Sequence, residues 1–213
     1  MALILIIGAS RGIGLETVKA ALAAGHEVRA FARSAPTIDI SDPKLTKITG
    51  DARVRGEVAA AVQGVDAVID AVGSDKPSDL IFGTTLFSDS TRILVDTMQN
   101  AGVRRLMLVT GAGAGNSRGR INVLYDNLIF PLVLQRVYND KDVAEDIVTK
   151  SNLDWTIVRP GLLTSRPATG RYKALTEMKD WRGGFISRAD VANFMIKHLD
   201  DPTLFGKTPL LVD

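Results

Sequence analysis

Apolar and polar positions along this chain switch repeatedly between two patterns. Leu3–Ile7 is an unbroken apolar run of strand type that stops at Gly8. Behind it Leu15, Val18, Leu22 and Ala23 recur at helical spacing until Gly25 ends the run. The alternation then repeats. Strands are predicted over Glu27–Ala32, Lys44–Ile48, Ala67–Val72, Arg105–Thr110, Trp155–Val158 and Pro209–Val212. Helices are predicted over Val54–Val62, Thr84–Ala101 and a long region Ile121–Ser151 interrupted by Pro131. A last helix runs from Ser187, a natural N-cap with Asp190 in capping-box position, to about Leu199. Strands alternating with helices predict an α/β fold, a doubly wound and mostly parallel sheet with helices on both faces.

The first strand-to-helix junction carries the clearest chemistry. Gly8 lets the backbone turn sharply, Gly12 leaves the main chain open to a pyrophosphate, and Gly14 lets the helix pack closely on the sheet. Ser10, Arg11 and Ile13 complete the loop. The free N–H groups and positive end of the helix would then face phosphates. The spacing G-x-x-x-G-x-G differs from the general G-x-G-x-x-G fingerprint, but a strand precedes it and a helix follows at once. A Rossmann-like dinucleotide site is predicted here.

A length of 213 residues without a linker-like stretch predicts one domain. The 26 Lys and Arg against 24 Asp and Glu are scattered, which implies no nucleic-acid partner. The absence of cysteine excludes disulfides, thiolate metal sites and a cysteine nucleophile. His26 and His198 are the only histidines and lie far apart in sequence, so no metal site is expected. The apolar stretch Leu128–Leu134, bounded by Asp126 and Arg136, is too short to span a bilayer and reads as a buried helix or a pocket wall. The N-terminus lacks a basic n-region and reads as a core strand, so the cytoplasm is the expected location. The apolar surface around Ile121–Val137 leaves monomer and homodimer both open.

The end of the second strand bears on cofactor choice. An acid about twenty residues after the glycine turn would bind the ribose 2′-hydroxyl of NAD. Here the chain reads Phe31-Ala32-Arg33-Ser34 instead. Arg33 would pair with a 2′-phosphate, Ser34 would add a hydrogen bond, and Arg11 would approach from the other side. NADP is therefore favoured over NAD, and Asp39 or Asp42 on the following loop is the feature that would overturn this.

Gly-Ala-Ser-Arg-Gly-Ile-Gly at 8–14 resembles the glycine loop of NADPH-using short-chain dehydrogenases/reductases, and the resemblance runs over essentially the whole chain. Lys141–Glu145 followed by residues 151–161, Ser-Asn-Leu-Asp-Trp-Thr-Ile-Val-Arg-Pro-Gly, is similar to the atypical branch, which includes biliverdin-IXβ/flavin reductases and NmrA-like redox sensors. That resemblance implies an adenine contact at Asp51 and Ala52, and a ribose wall at Ala71, Val72 and Gly73. It also implies a nicotinamide contact near Thr110, and one side of the pocket at Pro160, Gly161 and Leu162. Residues about 160–190, with Arg166, Arg171, Tyr172 and Trp181, would form a small substrate-side lid.

Well-known members of the family use a Tyr-x-x-x-Lys pair for proton transfer. This chain departs from it: Tyr125 is followed four later by Ile129, and Tyr138 by Asp142. Tyr138 and Lys141, three apart on a helix, share a face. Lys141 would otherwise reach the nicotinamide ribose or pair with Glu145. Thr110 would hydrogen-bond ligand or cofactor, or only backbone. Thr110, Tyr138 and Lys141 are the candidate catalytic residues. Lacking a dedicated acid, the chain is expected to be an NADPH-dependent oxidoreductase acting on a planar conjugated acceptor such as a flavin or quinone. Two alternatives stand beside it: a redox sensor that holds NADP(H) without turnover, and a sugar-nucleotide epimerase or dehydratase.

Overall fold

Helices cover both faces of the central sheet, which is why its inner strand Leu3–Ile7 reads as an unbroken apolar run. The computed structural model describes residues 1–74, 77–119 and 134–213. The first half contains β1 (Leu3–Ile7), α1 (Gly12–Ala23), β2 (Glu27–Ala32), β3 (Leu45–Thr49), α2 (Arg55–Val62) and β4 (Ala67–Asp70). Then come α3 (Pro77–Phe82), α4 (Leu86–Ala101), β5 (Arg105–Val109), α5 (Gln135–Thr149) and β6 (Asp154–Pro160). The chain continues through β7 (Leu162–Thr164), β8 (Lys173–Leu175), β9 (Phe185–Ser187), α6 (Arg188–Lys197) and β10 (Leu210–Val212).

The main sheet has the order β3-β2-β1-β4-β5-β6-β10-β8. Its strands pair in parallel, except that β8 runs antiparallel to β10. Alternate residues of β1 enter opposite cores. Ile4 and Ile6 join Val18, Phe194 and Met195 under α1 and α6, while Leu5 and Ile7 join Val58, Leu94 and Val148 under α2, α4 and α5. The doubly wound prediction holds, and its strands are displaced only at their ends.

Four elements went unpredicted: α3, β7, β8 and β9. The short helix α3 leaves Leu80, Ile81 and Phe82 exposed, so it carries no amphipathic period. Strands β7 and β9 form a separate two-stranded parallel sheet, and three residues each are too few to show alternation. Ser187 does cap α6, accepting the Asp190 N–H at 2.9 Å. The Asp190 carboxylate accepts the Ser187 hydroxyl at 2.8 Å and also the N–H groups of Thr169 and Gly170, at 2.9 and 2.8 Å, which ties that loop to the helix. The predicted region Ile121–Ser151 is described only from residue 134, so Tyr125 and most of Leu128–Leu134 lie outside the described residues. Among the described residues no helix is long and apolar enough to cross a membrane.

Candidate active site

A cleft of about 700 Å³ opens at the carboxyl ends of β1, β2, β4 and β5, where the strand order reverses between β1 and β4. The glycine turn is its floor. Gly8 has φ +78°, and a Cβ there would stand 2.6 Å from the Ala71 carbonyl oxygen, so only glycine lets the two loops meet. A Cβ on Gly14 would collide with the Gly8 carbonyl; Gly14 therefore lies beneath the floor rather than lining it. Gly12, with φ +58°, has open space where a side chain would go. Arg11 stands at the N-cap of α1 without a side-chain cap, and the first turn holds no acid. Nothing in that turn competes with an incoming anion. The cradle fits a pyrophosphate.

At the β2 end of the cleft the Ser34 hydroxyl donates to the Ser10 hydroxyl at 2.9 Å, joining the glycine loop to the β2 loop. Arg33 is exposed on the rim. The opposite wall carries Asp51 and Ala52 as expected, and also Arg53, which the sequence reading did not single out. Arg53 reaches Asp51 through its side chain at 3.0 Å and its backbone N–H at 2.9 Å. Those hydrogen bonds hold the Asp51 carboxyl below the usual range. Asp39 is exposed and Asp42 accepts the Lys44 N–H; neither lines the cleft. The feature that would have overturned the arginine reading is therefore placed elsewhere. Ala71, Val72 and Gly73 line the wall between the two ends.

The far end of the cleft is reached by Thr110 and Lys141. Lys141 Nζ donates to the Thr110 carbonyl at 2.7 Å and lies 5.0 Å from the ring centres of Phe87 and Tyr138. Burial among these groups pushes its pKa down to about 8, while the charge of Glu145 opposes the shift. Among the described ion pairs, Lys141 is not joined to Glu145. That carboxylate is held by Arg159 at 3.0 and 2.6 Å, with both side chains almost wholly buried, and by the Thr110 hydroxyl at 2.7 Å. The Thr110 hydroxyl thus donates to a buried carboxylate, where the sequence offered ligand, cofactor or backbone as its partner. A Cβ on Gly115 would strike the Glu145–Arg159 pair, so glycine is needed there too. Asp70, at the end of β4, is buried with its carboxylate accepting the Val72 N–H at 3.0 Å. Its pKa is pushed up to about 6 by burial.

Other expectations are corrected by packing. The Tyr138 hydroxyl lies against Gly111, its ring packs near Trp181 and Leu210, and it does not line the cleft. Pro160 and Gly161 are turned into β6 and the close approach to Gly184, and Leu162 is exposed. The residues that line the cleft on that side are Leu163 and Arg188. Within the lid segment Trp181 is buried beside Ala112 and Val212, and Tyr172 meets Phe194 edge-on at 5.8 Å, so both are packing residues. Asp70, Glu145 and Arg159 were legible as charges inside apolar strands or beside the Lys141 turn. What they bind depends on contacts between distant elements.

A doubly wound sheet with a glycine crossover at its switch point and an anion cradle at the start of its first helix defines a dinucleotide-binding protein. The chain belongs to the NAD(P)H-binding family, which it matches over residues 8–202. It is 32% identical over 145 residues, 68% of this chain and 62% of the relative, to a Bacillus subtilis protein named as an uncharacterized sugar epimerase. It is 24% identical to a probable pinoresinol-lariciresinol reductase of Arabidopsis thaliana, across 96% of this chain and 65% of that one. The chain thus spans less than two thirds of the length of these two relatives. Among solved structures it is similar to an anaerobillin reductase from Escherichia coli O157:H7, with a TM-score of 0.81, 28% identity, and coverage of 99% and 96% of the two chains.

Proposed function

We propose that the protein is an NADPH-dependent reductase that passes hydride to a planar conjugated acceptor such as a flavin or quinone. The observation that carries this reading is the Lys141 ammonium at the end of the cleft opposite Arg33, with its pKa brought down to about 8. The reduced nicotinamide supplies the hydride. Lys141 supplies the proton: one of its N–H bonds breaks as a bond from hydrogen to the acceptor's heteroatom forms. The Thr110 carbonyl aims the ammonium, and the Glu145–Arg159 pair fixes Thr110 in turn. A conjugated acceptor delocalises incoming charge and so does not need the tyrosine, whose hydroxyl is packed away from the cleft. Arg33 and Ser34 favour the 2′-phosphate of NADPH over the bare ribose of NADH. The name of the anaerobillin reductase neighbour supports a reductase of this kind.

The test is steady-state oxidation of NADPH and of NADH with riboflavin, FMN and simple quinones. Turnover that favours NADPH and collapses in Lys141→Met is the expected result. The packed-away tyrosine also suits a redox sensor. Tight NADPH binding with no oxidation by any acceptor would establish that second reading.

A further inference from the structure

With pyrophosphate on the glycine turn and, on the reductase reading, nicotinamide beside Lys141, the second nucleoside of the cofactor extends towards β2 and β3. Two arginines line that end of the cleft, Arg33 after β2 and Arg53 after β3. Arg53 is held in one orientation. Its Nε donates to Asp51 Oδ1 at 3.2 Å and its Nη2 to Oδ2 at 3.0 Å, while its backbone N–H donates to Oδ1 at 2.9 Å. The turn beneath is pinned as well. The Asp51 N–H donates to the Glu57 carboxylate at 2.7 Å, and the Val54 N–H donates to the Asp51 carbonyl at 2.9 Å. A Cβ on Gly50 would stand 2.4 Å from the Phe31 ring, so the turn sits directly against the end of β2.

These bonds decide what each group still offers a ligand. A carboxylate has about four acceptor positions. Arg53 occupies three of those on Asp51, which leaves little for the amino group of a base. The guanidinium in turn commits one edge to that carboxylate and keeps its flat faces. A free fork suits a phosphate, whereas a flat cationic face suits an aromatic ring. The Arg53 side chain is 47% exposed and lines the cleft, so it is open to a bound base.

We propose that Arg53 stacks its guanidinium face on the adenine ring of the cofactor, and that Asp51 is a positioning residue that holds Arg53 rather than an acceptor for the adenine amino group. The inference takes the direction of the bound cofactor from the reductase reading. It divides the adenosine end between two residues: Arg33 meets the 2′-phosphate, and Arg53 grips the base that NADPH and NADH share.

The test is calorimetric titration of wild type and variants with NADPH, NADH and the hypoxanthine counterparts of both, which lack the amino group. Arg53→Gln should weaken NADPH and NADH by the same factor, about two- to tenfold, the worth of a cation–π contact at a half-exposed site. Arg53→Lys keeps the charge but loses the flat face, and should not restore the affinity. Asp51→Asn should weaken both dinucleotides, and its loss should not add to that of Arg53→Gln in the double variant. The hypoxanthine forms should bind the wild type as tightly as their adenine counterparts. A loss confined to NADPH, a loss recovered by lysine, or no loss at all overturns the role of Arg53. Weaker binding of the hypoxanthine forms, or additive losses in the double variant, overturns that of Asp51. Failure of the wild type to bind either dinucleotide removes both. The expected binding pattern without NADPH oxidation by any acceptor would remove the reductase reading and leave Arg53 in place.

Discussion

Between β4, β5 and α5 the charged groups of this protein are buried. Asp70, Lys141, Glu145 and Arg159 are each bound to a named partner, and the pKa values of Asp70 and Lys141 are displaced by burial. Between residues 162 and 188 five of the six cations are exposed and Arg188 is half-buried, and none forms an ion pair among the described residues. In the first region desolvation makes protonation negotiable near neutral pH, which suits proton transfer. In the second the arginines stay charged in water and make only hydrogen bonds to neutral groups, Arg188 to the Ser165 hydroxyl and Arg182 to the Asp180 carbonyl, which suits attraction at a distance. One type of charge therefore serves chemistry or selection according to how much water surrounds it.

The interior side of this comparison is the more breakable. Lys141→Met should lower turnover by roughly 10²–10⁴-fold, the usual worth of a positioned acid. In the wild type kcat should fall as pH rises through about 8, where the ammonium is lost, and the variant should lack that limb. A descending limb unchanged in the variant would assign the proton to another group. Glu145→Ala leaves the Arg159 charge buried without its partner and should destabilise the fold by about 3–5 kcal/mol, measured by denaturant titration. It also removes the charge that opposes the Lys141 shift, so any residual activity should fall away at lower pH than in the wild type.

Asp70→Asn should act in the opposite direction. The folded pKa of Asp70 is raised, so its contribution to stability is complete below the ordinary 3.8 and is lost as pH rises through about 6. At neutral pH the buried carboxylate costs about 3 kcal/mol, and the neutral amide should recover most of it. Thermal unfolding should show a higher Tm for the variant at pH 7 and matched curves below 3.8.

The exposed side should respond more gently. Arg33→Ala should weaken NADPH binding by about ten- to a hundredfold and leave NADH unchanged, checked by titration of both. Equal losses for the two would place Arg33 away from the 2′-phosphate. Arg166→Gln with Arg182→Gln, both at exposed positions, should leave stability within about 0.5 kcal/mol, read by thermal unfolding.

Much of this is legible in the sequence alone. Leu3–Ile7 and the glycine spacing announce strand, turn and helix because both faces of a parallel strand are buried and the turn tolerates only glycine at Gly8. Arg33 and Lys141 stand at opposite ends of the cleft, since their elements are set by local pattern and their side chains follow. Other roles were hidden for equally physical reasons. Whether Tyr138 or Lys141 faces the cleft turns on the rotation of α5 against β5, a matter of packing with Phe87, Gly111 and Trp181. The choice of Leu163 over Leu162 turns on the pairing of β7 with β9, which three-residue strands cannot signal.

Local order, then, is written in the chain: the βα alternation, the phosphate turn and the identities of the basic residues near it all follow from short-range periodicity and backbone freedom. Tertiary structure decided which charges lose their water. Glu145 meets Thr110 from 35 residues away and Lys141 meets the Thr110 carbonyl from 31, while the cations of 162–188 are left outside. Burial is a property of the assembled layers rather than of any segment, and it is burial that separates the reacting charges from the selecting ones.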